Sequence, residues 1–163
     1  MTVFRLRTHS AAQTRALGAV LAGDLASGDL AVFRGDLGAG KSEICRGILR
    51  AKGVEGPIQS PTFTLLNLYE VNGETLCHFD WYRLSGADEI AEAGFYEMLP
   101  GDTLALVEWP ERAEEALPGC RLEADMRCGE GETDRVITLR PVGGFHDLPG
   151  VRGALNAFEG VCE

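Results

Sequence analysis

The segment Gly35-Asp36-Leu37-Gly38-Ala39-Gly40-Lys41-Ser42 fits the pattern G-x-x-x-x-G-K-[ST] and lies between a short apolar run and a helix-like stretch. The pattern constrains the fold because it needs a strand to deliver the chain into the loop and a helix to leave it. Glycines reach backbone conformations closed to residues with a Cβ, so successive N–H groups can turn inward around an anion. Lys41 adds a mobile cation for β and γ phosphates. Ser42 offers a hydroxyl where a phosphate-bound Mg²⁺ needs an oxygen, and the following helix adds partial positive charge. These residues predict a nucleoside triphosphate site; the bland alternative is a glycine turn joining two elements. Only Lys41 and Lys52 occur among the 15 basic residues, so a lysine inside the loop reads as a flexible point charge in a chain that otherwise writes arginine.

The flanking sequence supplies the elements. Ser10 and Gln13 have capping-box spacing, and Leu17, Val20 and Leu21 form an apolar stripe, which predicts a helix over 11–23. Leu30-Ala31-Val32-Phe33 reads as a strand covered on both faces. A helix over 41–52 carries Ile44, Cys45, Ile48 and Leu49 on one side and stops at Gly53. Strands over 63–71 and 74–79 are joined by Asn72-Gly73, a strong hairpin signal. Residues 88–99 read as a helix weakened by Gly94 and stopped by Pro100. Leu104-Ala105-Leu106-Val107 is a second buried run, ending on Glu108, and further strands are expected over 121–128 and 135–140. The predicted class is α/β: a P-loop NTPase fold with a mixed, mostly parallel sheet flanked by helices, and antiparallel hairpins. One domain is expected over 1–141, with 142–163, rich in Gly, loosely ordered.

Composition narrows the functional classes. A length of 163 residues, 45% hydrophobic and 25% charged, suits one soluble domain with its own core. No run has the apolar length of a membrane span and the first residues lack a signal-peptide core, so a cytoplasmic protein with no membrane partner is expected. The five cysteines show no C-x-x-C and are expected to be reduced. A net charge of −10 argues against gripping a nucleic-acid backbone directly, so any such role would run through a partner. The acidity alone also serves solubility.

Further candidate residues stand at predicted strand ends, where ligands of open α/β sheets bind. Asp80 and Glu108 both occupy such positions. One should hold Mg²⁺ and the other orient an attacking water or sense a γ phosphate, with Glu108 the better metal ligand because of the apolar run before it. The competing reading of each is a cap or salt-bridge carboxylate. Ser60-Pro61-Thr62-Phe63 lies where P-loop switches order on nucleotide, Thr62 supplying the hydroxyl, or it simply starts a strand. His78 reads as structural rather than basic. Arg83 is a charge stabiliser or a surface partner, and Trp109 a nucleotide or partner contact or a core residue.

Gly35 to Ser42, Ser60-Pro61-Thr62-Phe63-Thr64-Leu65, His78-Phe79-Asp80-Trp81-Tyr82-Arg83 and Glu108-Trp109-Pro110-Glu111 together resemble the TsaE (YjeE) family of bacterial P-loop ATPases over roughly residues 8–140. The resemblance implies an accessory ATPase, with ATP and Mg²⁺, for the threonylcarbamoyladenosine modification of tRNA. Such a protein acts on the partner proteins TsaD and TsaB and meets tRNA only through that complex. Carried over by motif, Lys41 and the loop backbone from Gly35 through Gly40 bind phosphates, Ser42 and Glu108 hold Mg²⁺, and Asp80 assists hydrolysis. Thr62 and Trp109 belong to segments near nucleotide or partner. Ser42 stands where the family usually has Thr, and Glu43 adds a negative charge beside the loop that is expected to weaken nucleotide affinity somewhat. Two other classes remain open: a small-molecule or nucleoside kinase, and a nucleotide-dependent binding module that hardly hydrolyses.

Overall fold

The run Leu30-Ala31-Val32-Phe33 forms β2 (Leu30–Arg34) at the centre of an eight-stranded sheet, flanked by β5 (Leu104–Glu108) and β6 (Arg121–Cys128), both parallel to it. The computed structural model describes residues 2–163. In chain order the other strands are β1 (Phe4–Thr8), β3 (Leu66–Val71), β4 (Glu74–Asp80), β7 (Arg135–Val142) and β8 (Val161–Cys162). The sheet order is β3-β4-β5-β2-β6-β7-β1-β8. Its parallel centre, β4-β5-β2-β6, is extended on both sides by antiparallel pairs. This is the mixed α/β sheet expected of the motif. Asn72 and Gly73, at φ of 51° and 80°, make the tight turn between β3 and β4.

Helices α1 (Ala11–Asp24), α2 (Lys41–Ala51) and α4 (Pro149–Gly153) belong to one side of the sheet, over a core that includes Leu17, Phe33, Ile48 and Leu106. The short α3 (Ala87–Glu92) and a 3-10 stretch, Pro110–Ala116, cover Val32, Phe79 and Val107 on the other. Ser10 caps α1 by accepting from the Gln13 N–H at 3.1 Å, and the Gln13 side chain returns the bond to the His9 N–H at 2.7 Å. α1 and α2 approach so closely that a Cβ on Gly47 would sit 2.1 Å from the Arg15 carbonyl oxygen. That contact fixes the spacing of α2 from α1. Among the described residues no helix is long and apolar enough to cross a membrane.

Four departures from the sequence reading have local causes. β1 was not anticipated, although Phe4, Leu6 and Thr8 are buried and Arg5 and Arg7 exposed in strict alternation. The strand expected over 63–71 starts only at Leu66, because Leu65 takes a left-handed conformation and its N–H closes a turn onto the Pro61 carbonyl. The helix expected over 88–99 ends at Glu92, Gly94 being left-handed, and a separate 3-10 turn, Tyr96–Met98, follows. The segment 142–163, expected to be loose, is packed instead. Leu148 and Val151 are fully buried, β8 pairs with β1, and the Asp24 carboxylate accepts from the Gly150 and Val151 N–H groups at 2.8 and 2.9 Å. That cap comes from far along the chain.

The packing of this segment has a measurable consequence. Leu148→Ala should cost about 2–5 kcal/mol of unfolding free energy by the usual cavity term, read as a lower urea midpoint. A midpoint unchanged within error would mean that the segment contributes nothing to the core.

Candidate functional site

The loop between β2 and α2 is held from below by a close approach. A Cβ on Gly35 would lie 2.4 Å from the Met126 carbonyl oxygen, so only glycine lets the chain turn there against β6. The loop then closes with the Ala39 N–H on the Asp36 carbonyl at 3.0 Å and enters α2 at Lys41. Lys41 is 4% exposed and folds back on its own loop, donating to the Gly35 and Asp36 carbonyls. Its Nζ also lies 4.0 Å from the centre of the Trp109 ring. Burial lowers its pKa, against the opposing field of Glu108, Glu111, Asp36 and Asp80. Glu43 carries no free charge into the site: Arg15 at 2.6 Å and Arg46 at 2.5 Å both donate to it. Burial alone would raise the Glu43 carboxyl, yet hydrogen bonds from Arg15 and then Arg46 hold it below its usual value. The affinity penalty expected of Glu43 is thereby offset.

The two carboxylates meet because β4 and β5 are in parallel register with Asp80 opposite Glu108. Glu108 is 2% exposed; its Oε1 accepts from the Ser42 hydroxyl at 2.9 Å and its Oε2 lies 2.6 Å from His78 Nε2. Asp80 is built differently. Its Oδ2 accepts from the hydroxyls of Ser60 at 3.2 Å and Thr62 at 3.1 Å, and its Oδ1 accepts from the Tyr82 N–H at 2.9 Å. The segment 60–63 is therefore tied to Asp80 by two hydroxyl donors. Trp109 stands in a left-handed conformation at φ 58° and turns its ring to Tyr82, 4.8 Å between centroids.

A cavity of about 470 Å³ gathers Lys41, Ser42, Thr62, Asp80, Glu108 and Trp109, with Leu37, Gly38, Gly40 and Glu43 also bordering it. Gly35, Asp36 and Ala39 do not border it; they shape the loop behind. Arg83 turns away and lies over the Phe63 ring at 4.3 Å. The lining also contains residues that sequence reasoning missed, among them Thr14, Thr133 and Arg135, the last donating to the Gly38 carbonyl at 2.9 Å. Nothing local in the sequence marks Thr133 or Arg135, because they arrive through the β6–β7 turn. Ser60, Tyr82 and His78 lie in segments already singled out, so their neighbourhood, though not their contacts, was legible. A hydroxyl and a carboxylate joined at the start of α2 are hard oxygen donors, a set that suits Mg²⁺.

A central parallel strand running into a glycine-rich loop, a helix that opens on Lys-Ser, and a neighbouring strand ending on a carboxylate define a protein of the P-loop NTPase type. The family model described as "Threonylcarbamoyl adenosine biosynthesis protein TsaE" matches residues 8–137, and the chain belongs to that family. A Bacillus subtilis protein named tRNA threonylcarbamoyladenosine biosynthesis protein TsaE is 33% identical over 148 residues, covering 91% of this chain and 92% of that one. A Haemophilus influenzae protein of the same name is 38% identical over 81 residues, a stretch covering 50% of this chain and 49% of the relative. The crystal structure of Bacillus subtilis YdiB superimposes with a TM-score of 0.73 at 31% identity, over 88% of each chain.

The cavity rim is tied to the C-terminal segment through His9. Its Nδ1 lies 2.9 Å from Asp134 and its Nε2 2.9 Å from Glu159, while its carbonyl accepts from the Thr133 hydroxyl at 2.7 Å. The hydrogen bonds to Asp134 and then Glu159 raise the His9 pKa above 6.5, and the bond from His9 lowers that of Asp134. A raised histidine stabilises the folded state fully below its unfolded value and loses that contribution as pH rises through the folded one. Thermal stability should therefore fall as pH is raised above 6.5, and His9→Gln should flatten that part of the profile. Superimposable slopes for the two proteins would show that the bridge contributes nothing.

Proposed function

We propose that the chain is a Mg²⁺-dependent ATPase of the cytoplasm that supports threonylcarbamoyladenosine modification of tRNA by acting on the TsaD–TsaB complex. The observation that carries the reading is the Ser42–Glu108 hydrogen bond, 2.9 Å long, at the N-terminus of α2 beneath the glycine loop. A metal held by these two oxygens would neutralise phosphate charge. In this reading the loop N–H groups and Lys41 bind phosphates, Lys41 leaving the two loop carbonyls that it now contacts for stronger acceptors. Asp80 orients the attacking water, and the two hydroxyls on its Oδ2 make segment 60–63 responsive to what Asp80 binds.

The choice of a protein as the object of the ATPase is supported by the cavity mouth. Leu37, which borders the cavity, is 84% exposed, an apolar side chain at the loop tip that a protein partner could cover. The kinase alternative needs arginines converging over the phosphates. Arg83 lies instead over Phe63 and Arg112 over Tyr82, 5.1 Å from the ring centre.

The carboxylate roles separate by mutation. Glu108→Gln should weaken Mg²⁺-dependent ATP binding, whereas Asp80→Asn should leave binding near normal and lower turnover at least tenfold, about 1.4 kcal/mol of transition-state stabilisation. The reverse pattern in a titration with nucleotide and metal would exchange the assignments.

The purified chain should turn ATP over slowly alone, bind TsaD–TsaB in an ATP-dependent manner and hydrolyse faster there. Lys41→Ala should abolish the ATP dependence of that binding. Phosphate release and modified tRNA per complex are the measurements; if neither changes on adding the chain, the assignment fails, and phosphate transfer to a small hydroxyl acceptor would install the kinase reading.

A further inference from the structure

His78 stands two residues before Asp80 on β4, so both side chains leave the same face of the strand, the face toward which β5 presents Glu108. The imidazole is 1% exposed and its Nε2 is 2.6 Å from Glu108 Oε2. A carboxylate can only accept, so the Nε2 position carries the hydrogen of this contact. Among the described residues Nδ1 has no hydrogen-bond partner, and the buried Cys45 Sγ lies within 4.8 Å of the ring nitrogen and the carboxylate oxygen. The pair is thus closed off from solvent on the side away from Ser42.

Holding the fold together does not require such a pair. Two apolar side chains of similar size usually stabilise a buried contact as well or better, because neither needs desolvation. What the imidazole adds is direction. With Oε2 bound to His78, the other oxygen, Oε1, faces Ser42. We infer that His78 is a positioning residue for Glu108: its Nε2–H pins one carboxylate oxygen so that the other is presented, together with the Ser42 hydroxyl, to a divalent cation. This rests on the reading above that Ser42 and Glu108 hold Mg²⁺. Partners of this kind set ligand orientation at metal sites, and removing one typically costs ten- to about a hundredfold in metal affinity.

The test uses the full chain with His78→Leu, which removes the donor, and His78→Gln, which keeps an N–H in reach of Glu108. Nitrogen NMR of the nucleotide-free protein should find a His78 hydrogen on Nε2; an Nε2 without hydrogen overturns the inference without reference to nucleotide or metal. In a Mg²⁺ titration of ATP binding, His78→Leu should raise the half-saturating Mg²⁺ concentration at least about tenfold while leaving binding in EDTA unchanged, and His78→Gln should restore most of it. Melting temperatures of the two variants should be alike. Equal impairment in both variants would mean a packing role only. An unaltered protein that binds ATP without regard to Mg²⁺ would remove the metal reading itself, whereas a Mg²⁺ dependence unmoved by His78→Leu would remove the His78 assignment alone. Should His78→Leu not fold, the NMR result and the titration of His78→Gln, which must stay near the unaltered protein, decide the matter.

Discussion

The parallel register of β4, β5 and β2 is the constraint on which the site depends. β2 delivers the glycine loop, β5 places Glu108 level with Phe33, and β4 places Asp80 level with Glu108. Three strand ends at one height put two carboxylates under the first turn of α2, and the tight α1–α2 contact at Gly47 keeps that turn from drifting. A shift of one residue in either pairing would turn Glu108 or Asp80 to the opposite face of the sheet, since side chains alternate with a period of two. The site is thus a property of register before it is a property of any side chain.

Electrostatics divide the carboxylates into separate environments at close range. Glu108 is enclosed, with one hydroxyl and one imidazole as partners, and belongs to the sheet's interior. Asp80 is bound by a backbone N–H and two hydroxyls from a connecting segment. Rigid surroundings suit a group that holds an ion in place. Surroundings contributed by a loop suit a group whose contacts change during a reaction cycle.

Legibility in the sequence followed the range of the interaction. The loop, the β3–β4 turn and the two apolar runs are short-range features, and each was readable from neighbouring residues. The alternation in Phe4-Arg5-Leu6-Arg7-Thr8 is equally local, but five residues become a strand only with partners, and β7 and β8 supply them. The Asp24 cap on α4, the His78–Glu108 pair and the Arg135 bond to Gly38 join residues far apart in the chain, and no periodicity encodes them. For Glu43 only half of this holds: Arg46 lies three residues on along α2, a local pair, whereas Arg15 comes from α1.

The return of the chain to β1 also bears on behaviour in concentrated solution. β8 pairs with Phe4 and Arg5 of this strand, and beyond them Leu6 and Thr8 are fully buried. Arg7, exposed on that stretch, places a charge where another strand would have to add. A short covering strand followed by an arginine is a common means of keeping β-sheets from joining edge to edge. Loosening the terminal segment that completes the core would uncover Phe4 and Arg5 of β1 as well as weaken the fold.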